Sequence, residues 1–387
     1  MVSTSEVSTS DIFDALALLT PVEITDLAKV RVGRQDGDGG YVMADRFRPD
    51  QKVYSYGVSD EMTFDLDLAE RGLESFLYDY TIARLVQDHP RFRFRREGIS
   101  GSNKPNKKVF TLEHHIAENG HTDGDMILKM DVEGAEWDVL RTIDPAVLTR
   151  FEQIIMELHR IWHLDRPEFY QCFCPAMEKL REHFHLFHVH ANNAGPIRSL
   201  SDLPVASPLE ISLLRKDLSA TAPWQTIIPS ALDAANSRAA RPDHVLNFFP
   251  FLPQGLEPAA LKRESLASIR RANIGVLQRL HKVKRGAYMR RNVVLLAQQL
   301  YSACPELADN EEQTLQEIRN CLLLPGDDPD AVLEKIRKTL RKAKENSLKE
   351  EIDRLYRHKP PATTGCSPSP LAELPCERPE TVKAYRR

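Results

Sequence analysis

The chain has 387 residues, which is too long for one ordinary domain and fits two or three. Its net charge of -4, with 28% charged residues, gives no argument for binding nucleic acid or an acidic membrane surface. The six cysteines form neither a disulfide framework nor a zinc-binding pattern, and no apolar run is long enough to span a membrane. Because the start of the sequence lacks the pattern of a signal peptide, we expect a cytoplasmic protein.

Predicted strands and helices alternate along the first two thirds of the sequence. After a Ser/Thr-rich start comes a short helix, for which Asp11 is the predicted N-cap. Apolar runs then predict strands at 53–57, 74–78, 91–99, 126–130, 153–158, 184–189 and 208–214, with helices at 64–71, 82–87, 112–119 and 169–182. This alternation favours an α/β fold with a doubly wound, mostly parallel sheet of seven strands.

The character of the sequence changes after about residue 253. Residues 258–357 contain no convincing strand, and apolar residues at helical spacing predict three or four helices. We therefore expect an N-terminal arm (1–19), an α/β domain (20–253), an all-α domain (254–358) and a disordered tail rich in Pro, Ser and Thr (359–387). The helical domain could serve a protein partner or self-association.

The most informative segment is 126–140, where an apolar strand leads into an acidic residue. Asp131 follows the strand, Glu133 and Gly134 form a turn, and an amphipathic helix begins at about Ala135. A carboxylate at the carboxyl end of a buried parallel strand lies where open α/β sheets bind ligands. The segment therefore predicts a ligand site around Asp131.

The sequence of this segment from residue 129, Lys-Met-Asp-Val-Glu-Gly-Ala-Glu-Trp, resembles the signature of the FkbM-type methyltransferases. Shorter similarities follow the family's order over about residues 20–250, starting at residues 31, 38, 54, 188 and 208. The resemblance implies a Rossmann-like class I fold and the cofactor S-adenosylmethionine (SAM). It also implies methylation of an oxygen on a small molecule or a glycan. No nucleic acid is expected as a partner, because the charge balance gives no argument for one.

Three strand ends are candidates for binding SAM. Gly57 allows a close approach of the backbone to the cofactor, although an ordinary glycine at a strand end is the alternative. Asp79 could accept hydrogen bonds from two ribose hydroxyls, or it could cap a helix that starts after Thr81. Ser100 could border the adenine, and a polar turn would explain it equally well.

The candidate catalytic residues are Asp131, Glu157, His159 and His190, which all follow or end predicted strands. Methyl transfer is a direct displacement, so a hydroxyl acceptor needs a base or a bound cation. Asp131 could orient the methionine part of SAM, the acceptor or a metal, and Asp131, Glu157 and His190 are the candidate ligands of a divalent metal. The alternatives are that Asp131 caps the next helix and that His190 is a strand residue of the core.

Two other functions fit the same residues. A non-catalytic scaffold would explain why the usual Gly-rich cofactor loop is reduced to Gly57. A metal-dependent hydrolase could use the same histidines and carboxylates, because a doubly wound fold does not determine the reaction. Binding of SAM would separate both from a methyltransferase.

Overall fold

The structure is a computed structural model that describes residues 6–121, 124–201, 203–237, 243–279, 282–304, 306–307 and 310–357. The predicted tail at 359–387 lies outside the described residues. By compactness the chain forms two units, Met1–Arg341 and Lys342–Arg387. Within the described part, no helix is long and apolar enough to cross a membrane.

The described residues contain fifteen strands and ten α-helices, besides short 3-10 turns. The strands are β1 (Val22–Ile24), β2 (Lys29–Gly33), β3 (Gly40–Ala44), β4 (Lys52–Tyr56), β5 (Glu74–Tyr78), β6 (Phe92–Arg95), β7 (Gly98–Ile99), β8 (Val109–Phe110), β9 (Met126–Met130), β10 (Phe151–Leu158), β11 (Phe184–Ala191), β12 (Ile197–Leu200), β13 (Leu203–Ala206), β14 (Leu209–Arg215) and β15 (Thr221–Pro223). The helices are α1 (Thr9–Ala17), α2 (Thr63–Glu70), α3 (Leu112–Glu118), α4 (Glu136–Thr142), α5 (Pro145–Leu148), α6 (Pro167–His183), α7 (Pro258–Arg279), α8 (Lys282–Ala303), α9 (Glu311–Leu322) and α10 (Pro329–Arg357).

A seven-stranded sheet forms the centre of the first unit, in the order β11-β14-β10-β9-β4-β5-β6. Neighbouring strands from β10 to β6 are parallel, and β14 is antiparallel to both of its neighbours. The prediction of a mostly parallel sheet of seven strands is confirmed. Chain order reverses between β4 and β9, which creates a crevice at the carboxyl ends of these strands.

Both faces of this sheet are covered, because successive side chains of each strand point to opposite sides. On one face Val53, Ile127 and Ile155 pack against α2 and the β2–β3 hairpin. On the other face Tyr54 and Leu128 belong to a core that includes α1, α3, α4 and α6. Strands buried on both faces explain why β9 and β10 read as nearly continuous apolar runs.

Two local predictions are wrong. Residues 82–87 form bends rather than a helix: Leu85 packs against a small core beside β5 and β6, but Val86 is 72% exposed, so the segment lacks the continuous apolar face that a helix would bury. Asp11 is not the N-cap of α1: Ser8 is, and the two residues form a capping box in which each side chain accepts from the other's backbone N–H. The predicted strand at 91–99 is divided into β6 and β7.

The β2–β3 hairpin, which pairs Lys29–Gly33 with Gly40–Ala44, was not predicted from the sequence. The hairpin lies against the sheet beside the crevice, since Tyr41 and Met43 share a core with Ile127 and Ile155. It therefore places its loop near the carboxyl ends of β9 and β10.

The helices after residue 257 build a second hydrophobic core. Ile269, Leu296, Ile318 and Ile336 are fully buried in it, so the predicted apolar stripes are covered within the chain. Its further members Ile227, Ala235 and Val245 come from the non-helical segments 224–237 and 243–247. The helical core thus holds a segment that reaches back to the sheet. The predicted boundaries between domains remain predictions.

Candidate active site

The crevice is lined first by the residues that follow β4 and β9. Asp131 N–H donates to the Tyr56 carbonyl at 3.1 Å, which holds the two strand ends together. Gly57 has a φ of +78°, and a Cβ there would lie 1.7 Å from the Asp131 carbonyl oxygen. Only glycine fits this position, because both the backbone conformation and the contact exclude a side chain.

Asp79 follows β5 and joins the loops after β4 and β5. Its Oδ2 accepts from Ser59 N–H at 2.9 Å, and its Oδ1 accepts from the N–H and the hydroxyl of Thr81 at 2.7 and 2.6 Å. Asp79 therefore caps a turn rather than a helix. Since a carboxylate oxygen accepts about two hydrogen bonds, Oδ1 is filled and Oδ2 keeps one position.

Ser100 follows β7 and is buried. Its hydroxyl donates to the Ser102 carbonyl at 3.0 Å, so it stabilises a polar turn. Nearby, the ring of Tyr80 lies against Gly98, while half of the Tyr80 side chain stays exposed. The three predicted cofactor residues Gly57, Asp79 and Ser100 therefore lie at the ends of β4, β5 and β7.

The ends of β9 and β10 bring together Asp131, Glu133, Glu157 and His159, which we call the His159 cluster. His159 Nε2 lies 3.1 Å from Glu157 Oε2, 3.4 Å from Glu133 Oε2 and 3.9 Å from Asp131 Oδ1. The Asp131 side chain is 28% exposed and that of Glu133 is 63% exposed, whereas Glu157 and His159 are buried. The cluster is therefore open on its Asp131 and Glu133 side.

Glu136, at the start of α4, holds His159 from behind. It is fully buried, and its Oε1 accepts from His159 N–H at 2.8 Å and lies 3.2 Å from His159 Nδ1. The Trp137 indole donates to the His159 carbonyl at 2.8 Å. Glu136 and Trp137 belong to the motif that begins at residue 129. This motif therefore supplies both Asp131 and the residues that hold His159 in place.

The electrostatics of the cluster follow from its crowding. Burial and the neighbouring charge of Glu157 raise the pKa of Asp131 to about 7. Burial by itself lowers the pKa of His159, but the hydrogen bonds to Glu136 and Glu157 outweigh it and raise that pKa well above its usual range. Negative charge therefore dominates the cluster, and it favours a bound cation or proton.

Lys129 and Tyr41 border the His159 cluster. The buried Lys129 ammonium donates to the Gly57 carbonyl at 2.8 Å and lies 4.0 Å from Asp131 Oδ2. Burial, followed by the charges of Asp131 and Glu210, raises the pKa of Tyr41 well above 10. Lys129 thus links the cofactor loop to the cluster, and Tyr41 brings the β2–β3 hairpin to its edge.

A second group, the His190 cluster, contains His188, His190, Glu210, Asp233 and Asp243. His190 Nδ1 lies 2.8 Å from Glu210 Oε2, and its Nε2 lies 3.0 and 3.2 Å from the two oxygens of Asp243. His188 Nε2 lies 2.8 Å from Asp233 Oδ1. Burial lowers the pKa of His190, but the charges of Asp243 and Asp233 outweigh it and raise that pKa well above its usual range.

The two clusters are neighbours in the sheet. Glu157 pairs with Glu210 across β10 and β14, and Asn192 donates to Glu157 Oε1 at 2.6 Å. Of the predicted metal ligands, Asp131 and Glu157 therefore come together with His159, while His190 is enclosed by other carboxylates. Gln299 of α8 donates to the Asp243 carbonyl, which ties the helices to the His190 cluster.

A cavity of about 400 Å³ lies at the amino ends of the central strands, where β4 and β9 begin. Arg48, Gln51, Lys52 and His121 are among the residues that line it, and none of the predicted site residues does. The chemistry described above is therefore at the other end of the strands, where the strand order reverses.

Sequence reasoning missed several residues of the site. Glu136 is part of the motif that begins at residue 129 and could have been singled out there. Lys129 is a charged residue inside an otherwise apolar strand, and this pattern indicates a buried charge with a role. Asp233 and Asp243 lie far along the chain, outside regular secondary structure, and nothing in the sequence connects them with β11 or β14.

The fold and the crevice define a doubly wound α/β domain, a class in which ligands bind where the strand order reverses. Residues 29–185 match the family model described as the methyltransferase FkbM domain, which is less than half of the chain. The resemblance to the FkbM-type methyltransferases seen in the sequence is confirmed over these residues. The match supports a SAM-dependent methyltransferase.

A solved structure is also similar to the chain. One chain in the crystal structure of a fibrillarin/Nop5p complex shares 12% sequence identity, with a TM-score of 0.28. The similarity covers 51% of the present chain and 98% of that chain. A TM-score this low does not establish a shared fold. No curated protein matches the sequence.

Proposed function

We propose that this protein is a SAM-dependent O-methyltransferase that methylates a hydroxyl of a sugar, a glycan or another small molecule. The observation that carries the proposal is the meeting of Gly57 and Asp131 at the reversal of the strand order, beside the His159 cluster. Ligands of doubly wound sheets bind at this point. The FkbM match over residues 29–185 supports the reaction class.

SAM is proposed to lie across Gly57, Asp79 and Ser100. Gly57 leaves the backbone accessible at the end of β4, and Asp79 Oδ2 keeps one acceptor position for a ribose hydroxyl. The residues fit a cationic cofactor, because the carboxylates of Asp131 and Glu133 face the same crevice and attract a sulfonium and an ammonium group. The exposed ring of Tyr80 beside Gly98 offers a surface for the adenine.

The acceptor is proposed to bind against Asp131, Glu157 and His159. When bound, SAM supplies an electrophilic methyl group. The acceptor oxygen forms a bond to the methyl carbon, the electron pair of the broken carbon–sulfur bond remains on sulfur, and the hydroxyl proton passes to a carboxylate oxygen of Asp131 or Glu157. In-line positioning is the main contribution of the protein to such a displacement.

His190 receives a positioning role in this proposal rather than a direct one. Both of its ring nitrogens face buried carboxylates, and its partner Glu210 lies opposite Glu157 in the sheet. It would act by fixing Glu210 and the neighbouring strand, and so the shape of the acceptor side.

The test is a calorimetric titration of SAM into the wild type and Asp79→Ala, with and without Mg2+ or Mn2+. We expect micromolar binding that the substitution weakens about tenfold or more, or about 1.4 kcal/mol. Asp88→Ala is the matched control, because Asp88 is an exposed carboxylate on the loop that follows Asp79. Since Asp79 also ties down Ser59, thermal melts must show that the variant remains folded.

Each outcome separates the proposal from its rivals. Binding that depends on Asp79 and not on Asp88 supports a methyltransferase and justifies a screen of hydroxyl acceptors. Failure to bind SAM under every metal condition overturns the cofactor assignment. Tight metal binding without SAM binding would then favour the hydrolase, and binding of neither would favour the scaffold.

A further inference from the structure

The His159 cluster has the donors and the spacing of a metal site. One oxygen of Asp131, one of Glu133 and one nitrogen of His159 all lie within 4.8 Å of one another. Neighbouring ligands of a six-coordinate ion with bonds of about 2.1 Å are about 3.0 Å apart. The separations of 3.4 and 3.9 Å from His159 Nε2 to the two carboxylates need only a small closure to reach that geometry.

We propose that Asp131, Glu133 and His159 bind a divalent transition-metal ion, with Glu157 beside it. This ligand set differs from the one expected from the sequence, because His159 takes the place of His190 and Glu133 takes the place of Glu157. The metal would occupy the open side of the cluster, between the ends of β9 and β10.

The support behind His159 is of the kind that metal-binding histidines have. Glu136 is fully buried and lies 3.2 Å from His159 Nδ1, so Nδ1 keeps its hydrogen, and Nε2 would present a lone pair once a bound ion displaces its proton. The same Glu136 accepts the N–H groups of His159 and Gly134, which fixes the backbone on both sides of the site.

Access distinguishes this cluster from its neighbour. Asp131 and Glu133 are partly exposed, so an ion can enter and keep water or substrate oxygen as further ligands. In the His190 cluster both ring nitrogens face carboxylates that are almost completely buried. The His190 cluster therefore lacks the open side that a catalytic metal site requires.

The donor set indicates which ions to test. An imidazole together with carboxylates suits Mn2+, Fe2+ or Zn2+ better than the all-oxygen sites typical of Ca2+ and Mg2+. Three carboxylates surround His159 Nε2, and Lys129 lies 4.0 Å from one of them, so a divalent cation in place of the His159 proton would offset more of their charge. We commit to Mn2+ as the probe, because its binding is visible by electron paramagnetic resonance.

The catalytic role of the ion rests on the proposed function, whereas its binding does not. A hydroxyl oxygen bound to a divalent cation loses its proton more readily, so the ion would activate the acceptor next to the proposed SAM site. The proton would pass to Glu157, which Asn192 holds beside the cluster.

The experiment is a titration of the full chain with Mn2+ alone, followed by calorimetry and by paramagnetic resonance. We expect one ion per chain and a nitrogen coupling from one histidine. His159→Gln should remove the nitrogen coupling, and Glu133→Gln should weaken binding about tenfold or more. Glu136→Gln should weaken it about 10- to 100-fold, the range typical of residues that orient a ligand.

His114→Gln and Glu118→Gln are the matched controls, because these residues form a histidine–glutamate pair on α3 at 3.6 Å, outside the cluster. Glu133→Gln protects the test against misfolding, since this side chain is mostly exposed. Binding that is absent in the wild type, or unchanged in His159→Gln and Glu133→Gln, overturns the inference. SAM binding with no Mn2+ binding would overturn the metal site alone and leave the proposed function standing.

Discussion

The His159 cluster, at the ends of β9 and β10, and the His190 cluster, on β11 and β14, use the same residue types, yet they differ in what surrounds the histidine. In the His190 cluster every nitrogen of the ring meets a buried carboxylate. In the His159 cluster one nitrogen is fixed by buried Glu136, and the other faces carboxylates that reach solvent. The comparison teaches that exposure of the partners, rather than residue type, separates a site that can bind a ligand from one that holds the fold together.

The largest effect is expected from breaking the closed cluster. His190→Ala should lower the free energy of unfolding by about 3–5 kcal/mol, because it leaves Glu210 and Asp243 buried without their partner. Urea denaturation followed by circular dichroism measures the loss. His185→Ala is the control on the same strand, since His185 is only partly buried. A loss below about 1 kcal/mol would mean that the closed cluster does not hold the fold together.

The pH dependence of stability is expected from Asp65, a buried carboxylate outside the two histidine clusters. Burial raises the pKa of Asp65 from 3.8 to about 6, although the charge of Lys129 partly opposes it. The folded protein therefore binds the proton more tightly than the unfolded chain, and stability falls as pH rises from about 4 to about 6.

Asp65→Asn removes this titration. The stability of the variant relative to the wild type should therefore rise by about 2–3 kcal/mol between pH 3.5 and pH 6.5 and stay level above that. Urea denaturation across this range measures the difference, with Asp67→Asn on the same helix, a partly exposed residue, as the control. A difference that does not change with pH would contradict the raised pKa of Asp65.

Gly57→Ala tests the backbone contact beside the open cluster. The added Cβ would meet the Asp131 carbonyl, so we expect a loss of about 1–3 kcal/mol in unfolding free energy and weaker SAM binding. Gly120→Ala is a close control, because Gly120 also has a positive φ but no atom lies within 4 Å of its added Cβ. Equal effects of the two substitutions would show that backbone conformation alone, and not the contact with Asp131, requires glycine at residue 57.

The smallest effect on stability is expected at the open edge. Glu133→Gln should change the free energy of unfolding by no more than about 0.5 kcal/mol, because the side chain is mostly exposed. Glu210→Gln, in the closed cluster, should cost more in the same urea experiment because Glu210 is buried against His190. If both variants lost the same stability, the distinction between an open and a closed cluster would fail.

The sequence by itself determined the strands of the sheet and the place of the site. Strands 74–78 and 126–130 were predicted with the bounds that β5 and β9 have, because buried parallel strands are continuous apolar runs that end abruptly at polar residues. The residues that follow them, Asp79 and Asp131, lie at the crevice for the same reason. The local sequence is sufficient where a single segment contains both the apolar run that predicts the strand and the polar residue that follows it.

Only the tertiary structure decided which residues meet. The pairing of Glu157 with Glu210 and the enclosure of His190 by Asp243 depend on strand order and on an irregular segment held by distant helices. The helix predicted at 82–87 failed for a related reason, since a short apolar pattern forms a helix only where packing covers a whole face of it, and here Val86 stays exposed. Contacts between residues far apart in the chain leave no periodic trace in the sequence, so the choice of His159 rather than His190 at the open site required the fold.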